Sequence, residues 1–278
     1  MKLERTVLAL MLVLLGSGPP STARGQPEVG PGSPPPVLLV GRQQFLPGQA
    51  ALRERLEEEI CRAFDRLAIA VTWIDLQSIT GPPEALYLDP LASYREMETA
   101  GVRLDSLYAA RADLAQLQEH VHETIATERT IIAQRHDDLG YRRESIDFSR
   151  ARYVRVNTFR LKPGHDGAFE EVARIRAQAY QKAKAEIPWV VYQANAGEES
   201  ATFFVLLTLH SLAEYDDLGP VSQAIQQAQG SQATQRLVQL EREAFAGTES
   251  QLYVIRPTLS HVPSEFAAGD PEFWRAPR

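Results

Sequence analysis

The chain has 278 residues, of which 44% are hydrophobic and 23% are charged, an ordinary balance for a globular protein. Its formal net charge of −7, without any run of basic residues, argues against nucleic acid and anionic membranes as partners. The single cysteine, Cys61, rules out a disulfide within the chain. We therefore expect Cys61 to be a buried apolar residue and the core alone to stabilise the fold.

The first residues predict export. Lys2 and Arg5 precede the apolar run "TVLALMLVLL", and two small-x-small cleavage sites follow it, at Ser21 to Ala23 and at Ala23 to Gly25. This order is typical of a signal peptide, and the run is too short to cross a bilayer. We predict a signal peptide at 1–25 and a periplasmic or extracellular location. Its removal changes the net charge from −7 to −9. The Pro- and Gly-rich stretch 26–36 is predicted to be a disordered or extended tether.

One short pattern occurs twice in the chain. The stretch "WIDLQSITG" begins at Trp73, and "WVVYQANAG" begins at Trp189, 116 positions later, with Trp, Gln and Gly in register. At the same spacing, "VLLVGRQQFLPG" matches "YVRVNTFRLKPG". Further on, "LASY" and "LAEY" match at a spacing of 121. The repetition predicts an internal duplication: unit 1 at 37–142, a linker at 143–152, unit 2 at 153–263 and a C-terminal tail at 264–278.

Each unit is predicted to run strand, helix, strand, strand, helix, strand, which is the ferredoxin-like order. In the first helix the apolar stripe is predicted to be Leu52, Leu56, Ile60, Phe64 and Leu67, with "ERLEEE" as its solvated face. The last helix of unit 2 is predicted to break near Gly230. A four-stranded sheet with helices on one face needs a cover for the other face, and the second unit can provide it.

These motifs resemble the dimeric α/β-barrel superfamily, which includes antibiotic-biosynthesis-monooxygenase-like and NIPSNAP-like domains. The resemblance extends from Val37 to His261. It implies an α+β fold in which the antiparallel sheets of two tandem ferredoxin-like units pack into a barrel, here within one chain. Haem-binding members need an axial histidine, for which His210 is the inward-facing candidate. No catalytic motif of the superfamily is matched, so the resemblance carries no activity to individual residues.

The alternation of side chains along a strand separates two faces of each sheet. One face of unit 2 is uniformly apolar and is predicted to pack on the helices: Val154, Val156, Phe203, Val205, Leu207 and Leu209. The other is predicted to line the barrel: Tyr153, Arg155, Asn157, Phe159, Trp189, Val191, Gln193, Phe204, Leu206, Thr208, His210, Val254 and Arg256. The matching residues of unit 1 are Gln43, Trp73, Asp75, Gln77, Tyr87, Asp89 and Arg135.

Two interpretations of this barrel lining remain open. In the first, the arginines pair with Asp75 and Asp89, and the polar groups only stabilise the interior. In the second, aromatic walls and a few convergent polar groups form a small-molecule pocket. The candidate ligand-binding residues are Trp73, Trp189, Arg155, Asn157, Gln193, His210, Arg135 and Arg256.

Three functional hypotheses follow. The leading one is non-enzymatic binding of a small aromatic or anionic molecule between the sheets by an exported monomer. The second is a cofactor-free, monooxygenase-like enzyme, and the third is a scaffold without a ligand. We expect no cofactor and no metal site. His120 and His122 point to opposite sides of a helix, and "RHDDLGY" after Gln134 is more typical of a solvated loop than of a cation site.

Overall fold

The computed structural model describes residues 30–199 and 201–275, except for the side chains at 217 and 218. The predicted signal peptide and the first residues of the predicted tether lie outside this part. None of the described helices combines the length and the apolar character that a transmembrane span requires. Cys61 is buried, as expected.

The N-terminal half has the predicted order of strands and helices. Its elements are β1 (Val37–Phe45), α1 (Ala50–Leu67), β2 (Ile74–Ser78), β3 (Glu84–Leu91), α2 (Tyr94–Ala110), α3 (Ala112–His122) and β4 (Ile125–Tyr141). The stretch predicted as a solvated loop after Gln134 instead continues β4. It does so because its backbone pairs with a strand of the other half.

The C-terminal half repeats this order. Its elements are β5 (Tyr153–Leu161), α4 (Asp166–Lys182), β6 (Trp189–Ala196), β7 (Thr202–Leu209), α5 (Glu214–Ala244) and β8 (Phe245–Ile255), followed by α6 (Ser264–Ala267) and α7 (Pro271–Trp274). The predicted break in the last helix is confirmed, because Gly230 has non-helical backbone angles inside α5 (φ 77°, ψ 166°).

The eight strands close into one antiparallel barrel with the order β1-β3-β2-β8-β5-β7-β6-β4. Each half contributes four adjacent strands, and the halves join at two seams, β2 with β8 and β4 with β6. The predicted α+β barrel within one chain is therefore confirmed. Because the barrel is closed, its strands leave no free sheet edge.

Aliphatic and aromatic side chains fill the barrel. The buried residues of its interior are Leu38, Val40, Ile74, Leu76, Leu86, Leu88, Ile131, Ala133, Val154, Val156, Val190, Tyr192, Phe204, Leu206, Tyr253 and Ile255. The cavity left inside has a volume of about 30 Å³. This is about the volume that one water molecule occupies, so the space between the sheets cannot hold the small molecule that we expected there.

Segments predicted as tether, linker and tail close one end of the barrel. Buried side chains from all three lie there: Pro34 and Pro35, Ile146 and Phe148, and Phe266 and Trp274. Tyr192 donates from its hydroxyl to the Pro35 carbonyl at 2.9 Å. Trp274 donates from its indole to the Ser149 carbonyl at 2.6 Å. These segments are too short to show a hydrophobic periodicity, so nothing in the sequence indicated that their few bulky side chains would be buried.

An ion network closes the other end of the barrel. The Arg42 guanidinium donates to both carboxylate oxygens of Glu84, at 2.9 Å and 3.0 Å, and to Gln251 Oε1 at 3.2 Å. The Tyr253 hydroxyl donates to Glu84 at 2.5 Å. Since Glu84 is fully buried, this bidentate pairing supplies the partners that its charge requires.

The predicted faces are wrong for most strands. Val154 and Val156 point into the barrel instead of toward the helices, whereas Trp189 and Val191 lie beneath α4. In β7 the prediction holds, because Phe204 and Leu206 are interior. Residues at equivalent places in β3 and β7 lie 118 positions apart in the observed strand pairing, whereas the sequence comparison matches them at a spacing of 121. An alignment error of three residues is odd, and an odd shift exchanges the two faces of a strand.

The repeated glycine of the hairpin motif gives a sharp stability prediction. Gly197 has φ +87°, and a Cβ there would lie 2.1 Å from the Thr130 carbonyl oxygen and 2.8 Å from Ile131 Cα. Gly164 also has a positive φ of +81° but open space around it. We expect Gly164→Ala to cost about 1 kcal/mol and Gly197→Ala at least about 2 kcal/mol more. Urea unfolding of both variants measures the difference, and equal losses would contradict the close packing of this turn.

Candidate functional site

The eight predicted ligand residues do not form one site. None of them lines the cavity inside the barrel. The indole ring of Trp73 stacks on the His261 ring at 5.0 Å, and Trp189 is in the core beneath α4. His210 is exposed beside Glu214, 3.3 Å away, and so cannot be an inward axial ligand. Gln193 bonds His136 at 2.7 Å on the helix-facing side.

The remaining four residues are at the barrel rim or outside it. Arg135 pairs with Asp137 at 2.6 Å and Arg256 with Glu54 at 3.3 Å, so neither arginine pairs with Asp75 or Asp89 as the structural interpretation expected. Arg155 and Asn157 share the outer face of β5. The pocket predicted between the sheets is therefore wrong in position.

A buried polar cluster lies between α1 and the outer face of the N-terminal sheet. We define the polar cluster as Arg53, Glu57, Asp75 and Tyr87. Arg53 Nη2 donates to Asp75 Oδ2 at 2.9 Å and also bonds the Tyr87 hydroxyl. Tyr87 in turn donates to Glu57 Oε1 at 2.7 Å. The four groups thus form one chain of hydrogen bonds across α1, β2 and β3.

The cluster is deeply buried, and its hydrogen bonds are incomplete. Arg53 and Asp75 are 0% exposed and Glu57 is 5% exposed. Within the described part of the chain, Arg53 Nε and Nη1 and Asp75 Oδ1 have no hydrogen-bond partner. The neighbouring Gln43 Oε1 also lacks one. Leaving such groups unpaired costs about 1–3 kcal/mol each, and more when they are charged, so this layer offers two donors and two acceptors to an additional polar group.

Arg53 and Glu57 are the residues that sequence reasoning missed. The buried stripe of α1 runs through Arg53, Glu57, Ile60 and Phe64, whereas Leu52 is 39% exposed. Counting back from Phe64 by four, seven and eleven positions reaches Ile60, Glu57 and Arg53. Two charged residues on the helical spacing of the core face were therefore the available signal. The interpretation of "ERLEEE" as a solvated face is wrong for Glu57.

The corresponding helix positions of the other half are apolar. Helices α1 and α4 begin 116 residues apart, at Ala50 and Asp166. At this spacing Arg53 corresponds to Phe169 and Glu57 corresponds to Ala173. Both residues of α4 are 2% exposed and lie in a core cluster of apolar side chains.

The corresponding strand positions are also apolar. Asp75 is the cross-strand partner of Tyr87, and at the same place in the other half Val191 is the partner of Val205. The second half thus shows that the fold needs no charge between its helix and its sheet. A polar cluster that the fold does not require is a candidate functional site.

The ionisation of the cluster suits proton exchange. Burial raises the pKa of both Glu57 and Asp75, and the Arg53 charge opposes the shift. One guanidinium cannot neutralise two buried carboxylates, so we expect the pair to retain a proton. Asp75 is bonded to Arg53 at 2.9 Å, whereas Glu57 is 4.0 Å from it. Glu57 is therefore the carboxyl that keeps its proton to the higher pH.

Asp89 extends this set one row along the sheet. It follows Tyr87 by two residues on the outer face of β3, and burial raises its pKa to about 7. Its carboxyl has no hydrogen bond or ion pair within the described part of the chain. Trp73 directly precedes β2, and the register of β2 with β3 places it beside Asp89. An aromatic ring and a titrating carboxyl therefore lie next to the polar cluster.

The raised pKa of Asp89 predicts a pH dependence of stability. Between pH 4 and pH 7 the folded state holds a proton that the unfolded state releases, so stability falls as the pH rises through this window. Asp89→Asn removes this loss. We expect the variant to exceed the wild type by at least about 1 kcal/mol at pH 8 and to match it near pH 4. Urea unfolding at both pH values measures it, and a pH-independent difference would contradict the assignment.

Solved structures resemble this chain, although no family model matches it and no curated protein does. An anthrone oxidase-like protein superposes with a TM-score of 0.51 at 17% identity, covering 79% of this chain and 91% of that chain. The fold is that of a dimeric α/β barrel. At this identity the likeness shows the fold alone.

Two further structures are similar at lower scores. A candidate monooxygenase from Fusobacterium nucleatum subsp. nucleatum has a TM-score of 0.49 and 8% identity, and covers 79% of this chain and 91% of that chain. A mutant chlorite dismutase from Candidatus Nitrospira defluvii has a TM-score of 0.43 and 10% identity, and the match covers 81% of this chain and 92% of that chain.

Proposed function

We propose that the polar cluster binds a small molecule carrying a weakly acidic hydroxyl or enol and accepts its proton. One observation carries the proposal. Among the described residues, buried donors on Arg53 and a buried acceptor on Asp75 lack partners, at positions that the other half fills with apolar side chains. The fold tolerates an apolar layer there, so the free-energy cost of burying these groups without hydrogen-bond partners is best explained by a ligand that pairs with them.

A hydroxyl group matches both kinds of unpartnered atom. Its oxygen accepts from the Arg53 guanidinium, and its proton is donated to the Asp75 carboxylate. When the hydroxyl ionises, the oxyanion stays beside the guanidinium, which stabilises the charge in a buried site. The released proton stays on the Asp75 carboxyl, whose pKa is raised by burial.

The binding hypothesis and the enzyme hypothesis share this step. A binding protein would hold the deprotonated ligand, and a cofactor-free oxygenase would let its enolate react with dioxygen. In the second case a CH₂ group and O₂ give a carbonyl and water. The anthrone oxidase-like description of the first structural neighbour supports testing an oxygenase reaction on an anthrone.

The experiment titrates the protein with 2-naphthol and with naphthalene, which lacks the hydroxyl. We expect 2-naphthol to bind at least about tenfold more tightly, the effect of one hydrogen bond to a charged group. Tyr87→Phe should weaken only 2-naphthol, and Tyr180→Phe in the other half is the matched control. Oxygen uptake with anthrone then separates an enzyme from a binding protein. Equal affinity for the two probes would contradict the proposal.

Export, duplication and oligomeric state are further parts of the proposal. We propose that residues 1–25 are removed on secretion. We propose further that the two halves are NIPSNAP-like domains and that they arose by tandem duplication. We also propose a monomer that binds neither nucleic acid nor membrane, because the two halves already complete one barrel and the mature chain is acidic. Mass spectrometry of the secreted protein tests the removal of residues 1–25, and light scattering of the mature chain tests whether it is a monomer.

A further inference from the structure

The C-terminal half has an open groove separate from the polar cluster. It lies between the outer faces of β5 and β8 and the helices α4 and α5, and its volume is about 570 Å³. Its walls include Asn157, Phe159, Arg176, Phe245, Thr248 and Ser250. The groove is large enough for a small aromatic molecule.

Hydrogen-bonding groups at the groove are unused. Within the described part of the chain, the amide of Asn157 and the hydroxyl of Thr248 make no side-chain hydrogen bond. Arg155 borders the groove, since its Nε donates to Ser250 Oγ at 3.0 Å. Among the described residues, its guanidinium makes no other hydrogen bond. Both terminal nitrogens of its guanidinium are therefore available.

The other charges at the groove are already paired. Arg176 bonds Glu241 at 3.1 Å, and Arg160 lies 3.4 Å from Glu249. Arg155 has no acidic partner among the described residues, so it gives this face a local excess of positive charge. An anionic group is the ligand chemistry that this excess favours.

Aromatic rings supply the apolar wall. Phe159 and Phe245 meet edge to face, with ring centroids 5.8 Å apart, and both are half-buried. Their exposed surfaces can pack against a planar apolar body. Polar donors and an aromatic wall thus occupy the same groove.

We propose that this groove is a second binding site, for an aromatic carboxylate. The carboxylate accepts from the terminal nitrogens of Arg155 and from the Asn157 amide, and the ring packs against Phe159 and Phe245. The site is independent of the polar cluster, because it uses residues of the other half and a different ligand group.

Calorimetric titration with 1-naphthoate tests the site, with 1-naphthalenemethanol as the uncharged probe. We expect one 1-naphthoate per groove, bound about tenfold or more tightly than the alcohol, since the carboxylate adds charge-assisted hydrogen bonds. Arg155→Gln should remove this preference and leave the alcohol unaffected. Arg174→Gln, an exposed arginine of α4 outside the groove, is the matched control and should bind like the wild type.

The inference is overturned by no saturable binding of 1-naphthoate, by equal affinity for the two probes, or by full affinity in a folded Arg155→Gln protein. Asn157→Leu is the second variant and should weaken 1-naphthoate several-fold. Tyr87→Phe separates the two sites, because it should leave 1-naphthoate binding unchanged. If it abolishes that binding, the ligand occupies the polar cluster and the groove assignment is wrong.

Discussion

Arg53→Met is expected to lower the free energy of unfolding by about 3–5 kcal/mol at pH 8, the typical effect of removing one partner from a buried ion pair. Arg53 is 0% exposed and is the cation that Asp75 and Glu57 share. Without it, both carboxyls must either remain charged in the core or take up protons. Urea unfolding measures the loss.

The pH dependence of that loss identifies its cause. Because burial raises the pKa of both carboxyls, those of the variant take up protons more readily at pH 5 than at pH 8 and then need no cation. We therefore expect a smaller loss at pH 5. Arg160→Met removes a half-exposed pair with Glu249 and should cost less than about 1 kcal/mol at either pH. A small loss in Arg53→Met that does not change with pH would contradict the buried ion chain.

Trp189→Ala is expected to cost about 3–5 kcal/mol, as for other large-to-small changes in a core. The ring is 4% exposed and packs against Tyr180 at 6.1 Å in the layer beneath α4. Trp73→Ala should cost less, because Trp73 is half-buried at the barrel rim beside His261. Thermal and urea unfolding compare the two variants. Equal losses would show that the repeated tryptophans have equivalent structural roles.

The fold could be predicted because its signals are local and repeated. The Trp, Gln and Gly pattern at Trp73 and Trp189, with its spacing of 116 residues, placed the strands, and the order of helices and strands then implied a ferredoxin-like unit. The closure of two such sheets in one chain followed from the need to cover each sheet. Register was harder to predict, since it depends on the pairing between strands.

The candidate site could not be predicted because it depends on the face of each strand. An odd error of three residues in matching β3 to β7 exchanged the faces, so Tyr87 and Asp89 were expected inside the barrel. The expectation that charged residues of α1 face solvent then concealed Arg53 and Glu57. The second error comes from treating polarity as a sign of exposure, although buried polar groups mark many functional sites.

The most direct measurement replaces the polar cluster with the residues of the other half: Arg53→Phe, Glu57→Ala, Asp75→Val and Tyr87→Val together. Because no unpaired charge remains within the cluster, we predict a folded protein whose free energy of unfolding is within about 1 kcal/mol of the wild type or above it, and which no longer prefers 2-naphthol to naphthalene. A loss of more than about 3 kcal/mol would show that the fold requires the cluster. Full 2-naphthol binding by a folded variant would contradict its assignment as the site.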